Sequence, residues 1–108
     1  KYVNSNAIVI SKNHTTLGIG CGQTNRIDSA MQAISKSNAN LKKLSNNQNI
    51  VLASDGFFPF PDIVKICKEN KISSIIQPGG SKKDEDIIEE SNNSNISMVF
   101  TNIRHFKH

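Results

Sequence analysis

The sequence predicts an α/β fold built on one mixed, mostly parallel five-stranded sheet, and three observations carry that prediction. Short apolar, β-branched runs recur along the chain: Asn6 to Ser11, Thr16 to Gly20, Val51 to Ser54, Ser73 to Gln77 and Ile96 to Thr101. The first two are separated only by Lys12-Asn13-His14, the spacing of a hairpin. Between the later runs lie stretches with apolar residues at helical spacing. The order is therefore β-β-α-β-α-β-α-β, a hairpin followed by crossover units. Short apolar strands joined by right-handed crossovers imply a sheet covered on both faces, a three-layer sandwich.

In chain order, Asn6 to Ser11 and Thr16 to Gly20 form the hairpin, and His14 at its turn reads as a solvated loop residue. Gly18, Gly20 and Gly22 alternate, so the backbone there can approach a ligand or another strand closely. The spacing is not that of a dinucleotide-binding loop. A helix of about ten to twelve residues follows, capped by Asn25 or Asp28, with Ile27, Ala30, Met31 and Ile34 on its apolar face. Arg26 lies in its first turn. A cation there opposes the helix dipole, and two readings stand: an anion ligand beside free N–H groups, or a surface arginine with its stem laid on the protein. Ser35 to Asn49 reads as a polar connection with room for one short helical turn.

Val51 to Asp62, VLASDGFFPFPD, is the stretch around which the rest is organised. Its apolar strand ends at Asp55-Gly56, and Pro59 and Pro61 make the following loop stiff and unable to extend the sheet. Three of the five Phe fall here, as Phe57, Phe58 and Phe60. A reversing loop cannot easily bury all three, so at least one is expected to face a pocket or a partner. Asp62 opens a helix to about Asn70 with Ile63, Ile66 and Cys67 on one face. Pro78-Gly79-Gly80 breaks the fourth strand, and Ser81-Lys82-Lys83-Asp84 matches a capping box before the third helix. The same Gly-Gly-Ser turn is an array of main-chain donors suited to an anion. In a parallel sheet the loops after the third and fourth strands and the tail after the fifth share one rim, which gathers Phe57, Asp62, Ser81 and Arg104.

Composition narrows the class. With 108 residues the chain makes one domain, and its net charge of +4 comes from scattered lysines rather than a basic stripe. That disfavours nucleic acid and suits a small anionic ligand. Cys21 and Cys67 show neither metal-ligand nor disulfide spacing, which points to reduced thiols, a cytoplasmic location and no metal. No apolar run reaches membrane-spanning length. The first residue is not Met, and the chain reads as a fragment of something longer.

Taken together, the segments NAIVISKNHTTLGIGCGQTNRIDSA, VLASDGFFPFPD, IIQPGGSKKDEDIIE and VFTNIRHFKH resemble the carboxyl-terminal part of the bifunctional purine-biosynthesis enzymes, AICAR transformylase joined to IMP cyclohydrolase. The likeness runs in order from about Ser5 to the last residue, and the set is highly specific although each piece alone is weak. It implies that residues 1–108 are the carboxyl-terminal cytidine-deaminase-like subdomain of the transformylase. The H-x-E and P-C-x-x-C elements of a zinc deaminase are missing, so the fold is implied without that metal chemistry.

The family transfers a formyl group from 10-formyltetrahydrofolate, its cosubstrate, to the 5-amino group of AICAR, and the cyclohydrolase closes the product to IMP. By resemblance Asn6, Arg26, Phe57 and Arg104 correspond to positions that contact the AICAR nucleotide. Ile27, Asp62, Ser81 and Lys82 correspond to folate-contacting positions. The family's catalytic Lys-His pair belongs upstream, so no catalytic residue is expected here. The chain alone is expected to be inactive, working with the upstream part of the same enzyme and as a homodimer in the full-length form. Gly56 stands where Ala is common in the family, and Pro61 where a basic residue is frequent. The alternatives are a nucleotide-binding enzyme of another class and a noncatalytic nucleotide-binding or dimerisation module.

Overall fold

A computed structural model of the chain describes residues 6–13, 15–41 and 49–101. His14, the stretch 42–48 and Arg104 lie outside the described residues. The elements are β1 (Ile8–Lys12), β2 (Thr15–Gly20), α1 (Arg26–Leu41), β3 (Val51–Ser54), α2 (Asp62–Glu69), β4 (Ser74–Gln77), α3 (Asp84–Asn93) and β5 (Ser97–Phe100). This is the order that the sequence predicts. The strands lie in the order β2-β1-β3-β4-β5. β1 is antiparallel to both its neighbours, and β3, β4 and β5 pair in parallel, so every strand but β1 runs the same way. The hairpin closes with Lys12 opposite Thr15, leaving Asn13 at φ 50°, a left-handed conformation that Asn tolerates.

The two faces of the sheet differ in how the described residues cover them. Ile8, Ile10, Leu52, Ile75 and Gln77 share one sheet face by register and are fully buried. Their neighbours on the other face, Val9, Val51, Ala53 and Ile76, are only half-buried, and Val99 is 49% exposed. Among the described residues all three helices cover the first face. The Asn38 side chain of α1 donates to that of Asn70 at the end of α2, and α2 packs on α3. The reason is topological: each crossover steps the same way along the sheet, and right-handed crossovers that step the same way lay their helices on the same side. No described helix is long and apolar enough to cross a membrane.

α1 is longer than the sequence suggests. It has 16 residues and runs through the polar stretch to Leu41, with Ser37 and Leu41 buried. Those polar residues serve the sheet. Lys36 Nζ donates to the Ile19 carbonyl at 3.1 Å and Asn40 Nδ2 to that of Leu17 at 2.6 Å, capping carbonyls of the edge strand β2. The alternating glycines explain how α1 comes so close. A Cβ on Gly18 or Gly20 would run into the helix backbone at Ala33 or Ser29. The close approach is therefore to a helix, not to a ligand or a strand. Met31, expected on the apolar face, is 46% exposed, and Ala33 fills that face instead.

Candidate functional site

The carboxyl ends of β3, β4 and β5 form one rim of the sheet. β1 runs the other way, so its start joins them: the Asp55 N–H donates to the Ala7 carbonyl at 3.1 Å. At the far side, the Thr101 N–H donates to the Gln77 carbonyl at 2.9 Å. The loop that begins α1 lies beside β1, because Asn6 Nδ2 donates to the Gln23 carbonyl and Ser29 Oγ to the Asn6 carbonyl. Asn25 is the residue that caps α1. Its side-chain oxygen accepts the Asp28 N–H at 2.8 Å, and its amide donates back to the Asp28 carboxylate.

Arg26 sits at the centre of this rim. Its Nη2 donates to Asp55 Oδ1 at 2.9 Å and its Nη1 to the Phe57 carbonyl at 3.1 Å. Both side chains are nearly buried, at 12% and 11% exposure, so the surface reading of Arg26 is set aside. The pair is joined through a single leg. Arg26 Nε and Asp55 Oδ2 are buried without a hydrogen-bond partner, a condition that costs about 1–3 kcal/mol for each such group. Gly56 makes room for the guanidinium: a Cβ there would stand 2.5 Å from Arg26 Nη2. The turn itself is held by Ser54, whose hydroxyl donates to the Gly56 carbonyl and accepts its N–H.

The three aromatics of the loop part company, as its sharp reversal requires. Phe58 is fully buried, Phe60 is 57% exposed, and Phe57 is half-buried. Gln77, buried at the end of β4, accepts the Phe58 N–H on its Oε1 at 3.1 Å and anchors the loop from the neighbouring strand. A Cβ on Gly80 would lie 3.8 Å from Phe57 Cδ2, so the loops after β3 and β4 adjoin at the Phe57 ring.

At the Gly-Gly-Ser turn two of the main-chain donors are already taken. Gly79 and Gly80 take φ of 80° and 107°, and this brings the N–H groups of Gly80 and Ser81 onto the two oxygens of Asp84, at 2.8 Å and 3.1 Å. Half of the expected capping box is thus present. The other half is shifted, because Ser81 Oγ accepts from Lys83 N rather than from Asp84 N. In the same turn Lys82 is exposed and Ser81 is half-buried, its hydroxyl already accepting the Lys83 N–H. Asp62 is exposed at the start of α2, and Ile27 is half-buried beside Arg26. Arg26 and Phe57 are therefore joined directly, Asn6 is tied to the start of α1 through Gln23 and Ser29, Ile27 packs against the core beside Arg26 in the chain, and Ser81 and Lys82 lie on the adjoining loop. Sequence reasoning missed Asp55, Gln77 and Asp84 as the groups that hold the site. Asp55 carried a signal only as a turn residue, and the capping spacing was the one cue to Asp84.

A family model described as "AICARFT/IMPCHase bienzyme" matches residues 1–36. Over all 108 residues the chain is 56% identical to the bifunctional purine biosynthesis protein PurH of Caldicellulosiruptor bescii and 49% identical to that of Natranaerobius thermophilus. The chain belongs to the bifunctional purine biosynthesis protein family. It spans about a fifth of the length of these PurH relatives, 20% of each. Among solved structures it resembles a diaminohydroxyphosphoribosylaminopyrimidine deaminase/5-amino-6-(5-phosphoribosylamino)uracil reductase from Thermotoga maritima, with a TM-score of 0.60 and 17% identity over 91% of this chain and 30% of that one. It also resembles the dCMP deaminase of cyanophage S-TIM5 solved with dCMP and dUMP, with a TM-score of 0.52 and 12% identity over 88% of this chain and 79% of that one. At such identities the likeness establishes the fold alone, and that fold is the deaminase-like α/β sheet expected of this part of the PurH family.

Proposed function

We propose that this chain forms part of the substrate-binding rim of an AICAR formyltransferase, which moves a formyl group from 10-formyltetrahydrofolate to the 5-amino group of AICAR. The observation that carries this reading is the junction of Arg26 with Phe57 on the rim that also bears Ser81 and Lys82. A half-buried ring on a stiff loop offers a face on which a flat imidazole can stack. Arg26 and Asn6 supply hydrogen-bonding groups for the nucleotide, and Arg104 would add a second guanidinium. On the folate side, Asp62 is an exposed carboxylate able to accept from pterin N–H groups. Lys82 is an exposed cation suited to the folate's carboxylates, and Ile27 offers apolar contact. The main chain at Ser81 does not serve, because Asp84 already takes its N–H.

In this reading the proton of the attacking amine is handled by a Lys-His pair elsewhere in the full-length enzyme, which acts in the cytoplasm as a homodimer. The half-exposed apolar sheet face supports further packing of this kind. The test compares formyl transfer by the full-length enzyme containing this stretch with transfer by its Phe57→Ala variant and by the 108-residue chain alone. The reading expects turnover from the first, a raised KM for AICAR in the second and no product from the third. A Phe57→Ala enzyme with unchanged AICAR kinetics would overturn it.

A further inference from the structure

Arg26 and Phe57 are held in one arrangement by a third side chain. Asp55 lies between them in the structure and belongs to neither proposed ligand set. Its Oδ1 holds Arg26 Nη2 at 2.9 Å, while the same guanidinium reaches the Phe57 carbonyl through Nη1 at 3.1 Å. One planar group thus ties Asp55, which follows β3, to Phe57 two positions later, across Gly56, where a Cβ would stand 2.5 Å from Arg26 Nη2. A guanidinium is rigid, so fixing one of its nitrogens on Asp55 fixes the direction of the others. The Phe57 carbonyl is held by that plane, and the ring leaves the backbone at the same residue.

We propose that Asp55 is a positioning residue for the nucleotide site: it orients the Arg26 guanidinium and, through the Phe57 carbonyl, the Phe57 ring. The unspent Arg26 Nε–H and Asp55 Oδ2 fit this role. A pair built for stability alone would close both legs. Here the second terminal nitrogen donates to the Phe57 carbonyl instead of to the carboxylate. The inference rests on the binding reading above.

Its test uses the full-length enzyme carrying this stretch, with Asp55→Asn, Asp55→Glu and Phe57→Ala. The readouts are KM for AICAR, KM for 10-formyltetrahydrofolate, kcat, and the NMR signals of the Arg26 guanidinium. Asp55→Asn keeps the shape and removes the charge. The expected result is an AICAR KM raised about tenfold, a nearly unchanged folate KM, and faster rotation and solvent exchange of the Arg26 N–H groups. Should Asp55→Asn not fold, Asp55→Glu keeps the charge and displaces the carboxylate by one methylene, and the same changes are expected. If Phe57→Ala weakens AICAR binding while the folded Asp55 variant leaves both KM and the Arg26 signals as in the wild type, the positioning role is overturned. If Phe57→Ala itself has no effect, the binding reading fails. The Arg26 signals then decide the positioning claim alone, altered signals supporting it and unaltered ones overturning it.

Discussion

The side-chain oxygen of Gln77 accepts the backbone N–H of Phe58 at 3.1 Å, and through this bond the end of β4 holds the aromatic loop that follows β3. Gln77 is fully buried, and its Nε2 lies 3.4 Å from the Met98 sulfur on β5. Three parallel strands are thus tied together at the rim by one side chain.

Gln77→Leu keeps the volume and removes the acceptor, which leaves the Phe58 N–H buried and unpaired. We expect a loss of about 1–3 kcal/mol in unfolding free energy, read as a lower urea midpoint with an unchanged slope. A midpoint equal to that of the wild type would show that Gln77 does not anchor the loop.

Gly18→Ala sets a methyl group against the backbone of α1, 2.8 Å from the Ser37 N–H nitrogen and closer still to the Ala33 carbonyl. Backbone cannot step aside as a long side chain can. The expected cost is at the upper end of the roughly 1–3 kcal/mol of overpacking, or beyond it, and thermal unfolding measures it. Gly22→Ala differs in cause: no atom lies within 4 Å, and its φ of 72° is the sole strain. The second variant should be the milder one.

Much of the fold was legible in the chain because periodicity and turn chemistry report local structure directly. The hairpin at Asn13, the stop at Asp55-Gly56 and the parting of the three phenylalanines all follow from nearby residues. What was not legible depends on distant partners. Lys36 and Asn40 look like loop residues until β2 is placed beside them, since their donors serve carbonyls 17 and 23 residues away. Asp55 looked like turn punctuation because its partner, Arg26, is 29 residues earlier in the chain. Asp84 was recognised as a cap, but that its two oxygens would exhaust the donors of Gly80 and Ser81 depended on the glycine conformations. That the described helices share one face was hidden for another reason: apolar strands read the same whether one face or both are packed.

Burial pushes the Cys67 thiol up from its ordinary value of 9.0 to about 12. The folded protein therefore holds this proton more tightly than the unfolded chain. The associated stability is fully present below pH 9.0 and is lost as pH rises towards 12. Over that window Cys67→Val should flatten the decline of stability with pH, by at most about 1.4 kcal/mol per pH unit. Urea titrations of the two proteins at several pH values measure the difference. In the native protein Cys21, which is half-buried, should react with iodoacetamide well before Cys67.

The central claim is that an AICAR nucleotide lies against Phe57 on the rim held by Arg26. The most direct measurement is the magnetisation transfer between the imidazole proton of bound AICAR and the ring protons of selectively labelled Phe57 in the full-length enzyme. A strong transfer that disappears in Phe57→Ala is expected. Bound AICAR whose imidazole proton shows contacts to other rings and none to Phe57 would contradict it.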